Sequence, residues 1–234
     1  MEPSPERKSV RGPVLFVVLL LCLLIGPLFG PVPRLLSSQM GLESGVIGLL
    51  LCFVIGFSII VAIALRLDGK GLGEIGQALY ELGLGKPTRW LAAIVGALVG
   101  LGWGALFLTS ILQFKPDANV MELSAFRVLA AVLAAGGALL EDVVTRGWLM
   151  NRLAQVNVPN WAQAVLSAFV FAFYHTIWAF DIFSFVFSVV YGLILSGLYL
   201  WGKRSLTPVI LGHSLAVLVG EPFATMLIFL APGT

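Results

Sequence analysis

Apolar positions along this chain arrive in long blocks separated by short polar breaks. The blocks fall at about Pro13–Leu28, Gly45–Leu65, Trp90–Phe114, Ser124–Met150, Trp161–Phe180, Ile182–Trp201 and Leu206–Val219, with a short last one at Phe223–Leu230. The longer blocks match the roughly 20 residues that an α-helix needs to cross a bilayer. Lipid offers no partner to a free peptide group, so a spanning block must satisfy its own backbone, and apolar runs of this length do so as helices. The pattern predicts an all-α fold, a polytopic transmembrane bundle of about seven or eight helices. No long polar linker divides the blocks, so residues 1–234 are expected to form a single transmembrane domain. One segment departs from the pattern. Between Arg66 and Arg89, GLGEIGQALYELGL spaces Leu72, Ile75, Leu79 and Leu82 at helical intervals, which predicts an amphipathic helix on the membrane surface.

Composition points the same way. Of 234 residues, 59% are hydrophobic and 11% charged, and the mean hydropathy is +1.01. A soluble core of this size would not hide so much apolar surface. The formal net charge is +2 and the basic residues are scattered among the breaks, so no nucleic-acid partner is expected. Cys22 and Cys52 lie inside apolar blocks, where they behave as small hydrophobes, and imply no disulfide framework. After MEPSPERKSVRG the first block lacks a small-x-small cleavage site and is read as a retained anchor.

Cations set the orientation, because short cytoplasmic connections keep them. With the N-terminus inside, the cytoplasmic side carries Arg7, Lys8, Arg11, Arg66, Lys70, Lys86, Arg89, Arg146, Arg152, Lys203 and Arg204. The far side carries Arg34, Lys115 and Arg127. This asymmetry predicts an integral membrane protein with a cytoplasmic N-terminus, and the short connections suit a bacterial inner membrane. Gly96, Gly100 and Gly104 recur on one helix face, which lets a neighbour approach closely. Intramolecular packing is the preferred reading and a homodimer seam the other. Trp148, Trp161, Trp178 and Trp201 lie near block ends and fit an interfacial aromatic belt.

Three ionisable residues interrupt separate blocks. The two histidines, His175 and His213, and Glu141 each lie well inside an apolar run, where an ionisable group is costly and marks a functional site. At about 1.5 Å per residue, Glu141 lies roughly 15 Å, His175 roughly 22 Å and His213 roughly 12 Å from the cytoplasmic helix ends, so all three fit one cavity. Asp142 and Arg146 stand four positions apart on one helix face and are expected to pair as a structural brace. Glu141 points about 100° away from Asp142, which leaves it as a candidate general base. Asp181 and Glu221 fall at block ends and read as solvated loop positions, and Glu122 and Arg127 as interfacial. For any one of these groups alone, the bland reading of a hydrogen-bonded packing residue has at least even odds.

These residues carry a resemblance. Glu141-Asp142-Val-Val-Thr-Arg146, Phe171-Ala-Phe-Tyr-His175 and the later His213 resemble, in order and spacing, the motifs Glu-Glu-x-x-x-Arg, Phe-x-x-x-His and His-x-x-x-Asn/Asp of the CPBP family of intramembrane proteases. That family includes CAAX prenyl endopeptidases such as the Ras-converting enzyme and bacterial proteins linked to bacteriocin processing and self-immunity (Abi). The resemblance covers roughly Gln77 to Gly220, with ELGLGKP similar to the family's lead-in. It implies an endopeptidase in which Glu141, assisted by His175, activates water, His213 stabilises the oxyanion, and Asp142, Arg146 and Phe171 support them. The implied partners are membrane lipids and a membrane-embedded, peptide or prenylated protein substrate. It also implies a glutamate-type reaction with no cofactor. The runner-up is a metalloendopeptidase with zinc on Glu141, His175 and His213, a three-ligand set that leaves a position open for water. No His-Glu-x-x-His helix accompanies it. The chain departs from the family at Val217, where a hydrogen-bonding residue is usual. A catalytically weakened scaffold or bacteriocin-immunity protein of the same fold is therefore the alternative. A proton-relay transporter is a third reading, but no internal inverted repeat supports it.

Overall fold

The apolar blocks become helices, and most of the breaks between them contain proline or glycine, the exception being 177–181. The computed structural model describes residues 10–230. Arg7 and Lys8, two of the cations used for orientation, lie outside the described residues. The first span starts as α1 (Arg11–Leu20) and continues through π-helical turns at Leu21–Ile25 into a 3₁₀ turn at Gly26–Phe29. The change of helix type accompanies Pro27, which has no N–H to give to the ladder. A short helix that the apolar blocks did not announce, α2 (Pro31–Met40), then leads into the long α3 (Leu42–Leu67). The remaining helices are α4 (Ile75–Glu81), α5 (Trp90–Phe114), α6 (Ala125–Asp142), α7 (Leu149–Gln155), α8 (Asn160–Thr176), α9 (Ile182–Trp201), α10 (Thr207–Gly220) and α11 (Phe223–Leu230). Between α6 and α7 the chain stays helical but widens into π turns over Val143–Trp148.

Among the described residues, five stretches are long and apolar enough to cross a membrane: Arg11–Phe29, Leu42–Leu67, Trp90–Phe114, Ala125–Gln155 and Ile182–Trp201. A sixth is added if α10 and α11, bent by 72°, form one broken span. This is fewer than the seven or eight expected. The block read as Trp161–Phe180 ends as a helix at Thr176 and holds 17 residues, about 25 Å at 1.5 Å per residue, short of the hydrocarbon thickness. The two last blocks are halves of one bent pair.

The surface helix is shorter than its pattern predicts. Only Ile75–Glu81 is α-helical, Ala78 and Leu82 form the inward face with Leu79 beside them, and Ile75 turns outward at 38% exposure. The side chain of Leu72 lies outside the description. The segment is tied down through Gly83, whose carbonyl accepts the Leu206 N–H at 2.9 Å. Gly83 has φ +114°, and a Cβ there would meet the Arg204 carbonyl at 2.6 Å, so only glycine fits.

The bundle centres on α10, which packs on α5, α6 and α9. The glycine face of α5 makes this possible. A Cβ at Gly96 or Gly100 would run into the carbonyls of Pro208 or Leu211, and one at Gly104 would meet Val219 Cβ at 2.6 Å. The seam is therefore intramolecular and is already filled by α10, so it does not serve as a homodimer face.

One end of the bundle gathers the polar cross-links. Trp148 Nε1 donates to Asp68 at 3.0 Å, Arg152 pairs with Asp68, and Tyr199 donates to the Leu82 carbonyl at 3.2 Å. Arg204 donates to Asn151, Asn160 and Gln163. The C-terminal ends of α3, α7 and α9 and the starts of α8 and α10 thus meet on one face, with Arg66, Lys70, Lys86, Arg89, Arg152, Lys203 and Arg204 at or near it. Arg34, Lys115 and Arg127 belong to the other helix ends, where Arg127 donates to the Glu122 and Val219 carbonyls at 3.0 and 3.2 Å. Arg146 leaves the tally of loop cations because it is fully buried. Trp148 likewise leaves the aromatic belt at 1% exposure, whereas Trp161 and Trp201 keep exposed positions that fit it. Trp178 is held by the Cys22 carbonyl, to which its Nε1 donates at 2.7 Å.

Asp181 behaves as expected of a span end. It caps α9 by accepting the Ser184 N–H at 2.7 Å, and that bond holds its carboxyl below the usual carboxylate range. Glu221 does not. It is 2% exposed at the bend between α10 and α11, where its carboxylate accepts both the N–H and the hydroxyl of Thr225, at 3.2 and 2.8 Å.

Candidate active site

The helix carrying the two adjacent acids separates them by geometry. Consecutive side chains on a helix diverge by about 100°, and here Asp142 turns toward α10 while Glu141 turns toward α8. The Asp142 carboxylate is completely buried and has a nitrogen partner on each oxygen. Arg146 Nη1 donates to Oδ1 at 3.1 Å, one helical turn along, and His213 Nδ1 lies 3.1 Å from Oδ2. The expected Asp142–Arg146 pair is present, but Asp142 also orients His213, a task the sequence did not reveal.

Glu141 is held differently. Its carboxylate Oε1 accepts the hydroxyl of Tyr174, which is fully buried on α8, and Oε2 has no hydrogen-bond partner among the described residues. His175, next to Tyr174, makes its own bond backward along the helix. Its Nδ1 lies 2.7 Å from the Phe171 carbonyl, and since a carbonyl only accepts, Nδ1 carries the proton and Nε2 a lone pair.

Phe171 joins the parts. Its ring centroid is 4.2 Å from that of His175 and 6.0 Å from that of His213, and the Arg146 guanidinium sits 4.5 Å above it. Phe29 packs on the far side of His175 at 4.1 Å, and Tyr191 on His213 at 5.6 Å. The structure therefore brings Glu141, His175, His213, Asp142, Arg146 and Phe171 into one cluster, from α6, the π-helical turns, α8 and α10. Glu141 is 6% and His213 7% exposed, whereas His175 is half-buried.

A cleft of about 440 Å³ opens on the polar end of the bundle, lined by Asp68, Glu81, Trp148, Asn151, Arg152 and Arg204 among others. None of Glu141, His175 and His213 lines it. Val217 follows His213 by one turn and packs against the apolar core. The hydroxyl of Ser214 is committed to the Ala135 carbonyl at 3.2 Å, in keeping with its divergence from His213.

Among the described residues no three His, Cys, Asp or Glu side chains are placed together as a metal-holding group.

Tyr174 is the residue that sequence reasoning missed. Its only signal was its place beside His175, because a tyrosine buried in an apolar helix needs a partner for its hydroxyl. Its hydroxyl donates to one oxygen of Glu141, and the other oxygen has no hydrogen-bond partner among the described residues. Tyr174→Phe is expected to lower peptide turnover by roughly tenfold to a hundredfold, the worth of one hydrogen bond to a charged group, with KM little changed. Steady-state kinetics on the folded variant checks this, and unaltered turnover would remove Tyr174 from the site.

Residues 123–219 match the family model described as type II CAAX prenyl endopeptidase, Rce1-like. No curated protein and no solved structure matches the chain. The matched segment runs from just before α6 to the last turn of α10 and contains the whole Glu141, Asp142, Arg146, Phe171, His175 and His213 cluster, so it is this segment that is similar to the Rce1-like type II CAAX prenyl endopeptidases.

Proposed function

We propose that this chain is an intramembrane endopeptidase that hydrolyses a peptide bond in a membrane-embedded or membrane-tethered substrate, using water activated by Glu141. The observation that carries the reading is how charge is sorted between neighbours. Asp142 takes both Arg146 and His213, while Glu141 takes only a tyrosine hydroxyl and keeps Oε2 open. A carboxylate that is buried, fixed and not neutralised by an ion pair is suited to accept a proton.

In the reaction, Glu141 Oε2 takes a proton from water, helped by the lone pair on His175 Nε2, and the water oxygen attacks the scissile carbonyl. His213, with Nδ1 anchored on Asp142, presents Nε2 to the oxygen on which negative charge develops. Donors placed in advance at that oxygen are commonly the largest single contribution to such catalysis. The proton held by Glu141 then passes to the departing amine. We place the basic face of the bundle on the cytoplasmic side, following the distribution of cations, and the protein in a bacterial inner membrane.

Val217 favours a second reading, a scaffold or immunity-type protein that keeps the fold without the chemistry, because an apolar side chain there offers nothing to an oxyanion. The experiment is cleavage of a quenched fluorogenic peptide library, prenylated members included, by the purified protein in nanodiscs, with and without a strong zinc chelator. Cleavage that survives chelation is the expected result. Cleavage lost to chelator and restored by zinc would replace the glutamate reading by the metal one, and no cleavage by folded protein would favour the scaffold.

A further inference from the structure

The guanidinium of Arg146 is completely buried, yet only one of its nitrogens is used. Nη1 donates to Asp142 Oδ1 at 3.1 Å and to Thr145 Oγ1 at 2.7 Å, whereas Nε and Nη2 have no hydrogen-bond partner among the described residues. Buried donors without partners are rare and costly, and in a native fold each calls for an explanation. The two idle atoms are not an arbitrary pair. Nε–H and one N–H of Nη2 run parallel along one edge of the guanidinium, the fork that receives two oxygens on a single atom. Its other constraints hold this edge in place. The centre of the guanidinium lies 4.5 Å from the Phe171 ring centroid, and its carboxylate partner is shared with His213, so the residue that carries the idle fork belongs to the same cluster as the imidazole. The π-helical turns over Val143–Trp148, a form of helix often found at functional sites, carry Arg146 itself.

We propose that Arg146 binds, through Nε and Nη2, the two oxygens that hydrolysis places on the scissile carbon. The proposal rests on the endopeptidase reading. Attack by water forms a C–O bond and sends the water proton to Glu141, which leaves the former carbonyl oxygen and the water oxygen on one tetrahedral carbon. Breakage of the C–N bond, with the proton passing from Glu141 to the amine, leaves the same two oxygens on a carboxylic acid, whose hydroxyl proton is then lost to give the carboxylate. Before reaction the carbon carries one oxygen, so the fork is half filled by substrate and filled by the tetrahedral state and the product. A group that binds more strongly as the reaction proceeds assists it. Glu141 and His213 are themselves 6% and 7% exposed, so binding of substrate at the cluster requires its packing to open.

The test uses the full-length protein in nanodiscs and a library peptide that it cleaves. The N-terminal fragment is identified by mass spectrometry and synthesised with a free carboxylate and as the primary amide, and both are measured as inhibitors. The carboxylate is expected to inhibit more strongly by roughly tenfold or more, the worth of a charge-assisted pair. Arg146→Lys keeps a charge for Asp142 but has no parallel edge, and is expected to shrink that ratio to a few-fold. Equal inhibition of the wild-type protein by the two fragments overturns the proposal, and it does so even if the variant fails to fold. An unchanged ratio in folded Arg146→Lys overturns it too. Absence of any cleavage by folded wild-type protein is a different failure, which removes the endopeptidase reading and this inference with it.

Discussion

Glu141→Gln is expected to abolish peptide hydrolysis while the protein stays folded. Glutamine has the shape of glutamate, and its carbonyl oxygen still accepts the Tyr174 hydroxyl, so the contact between α6 and α8 survives. What is lost is the capacity to take a proton from water. Removing a positioned general base commonly costs about 10²–10⁴ in rate. The loss should appear in kcat, with a melting curve in nanodiscs close to that of the wild type. The contrast with the scaffold reading is sharp, because a scaffold has no use for the proton affinity of residue 141. A variant that cleaves at the wild-type rate would end the glutamate mechanism, and one that melts early would show that the carboxylate serves the fold instead.

Much of this site was legible in the sequence because its spacings are short. Asp142 and Arg146 are one turn apart, and such a pair meets on any helix, even where π turns begin between them. The three ionisable groups were legible for a thermodynamic reason, since an apolar span does not carry a carboxylate or an imidazole without use for it. What the sequence could not show was direction across helices. Tyr174 and His175 differ by about 100° around α8, and nothing local says which faces α6. The structure gives Glu141 to Tyr174 and leaves His175 to bond its own helix at Phe171.

The misread positions follow from the same limit. Trp148 was read as interfacial and Arg146 as a loop cation because their distance from the end of the apolar block suggested it. The π turns change the phase of the helix just there, and both side chains end inside the bundle. Glu221 was read as solvated because it ends a block. The chain instead bends there, and Thr225, one turn into the next helix, supplies both of its hydrogen bonds.

Asp142→Ala is expected to destabilise the fold by about 3–5 kcal/mol, the usual result of removing one partner of a buried ion pair. The whole effect comes from what stays behind. Arg146 would remain fully buried with Nη1 held only by Thr145, and His213 would lose the acceptor of its Nδ1. Thermal unfolding in nanodiscs measures the loss. A second substitution separates its two components. Asp142→Ala combined with Arg146→Met removes both charges and lets a thioether rest on Phe171, a contact that sulfur and aromatic rings make readily. Replacement of a whole buried pair by apolar groups is often close to neutral, so the double variant should recover most of the lost stability. It should not recover hydrolysis, because His213 still lacks the carboxylate that fixes its imidazole. Recovered stability with absent activity would mean that Asp142 supports the fold through Arg146 and the chemistry through His213. A double variant as unstable as the single one would show instead that the lost stability arises at His213, and that the i, i+4 pair contributes little to holding α6 in place.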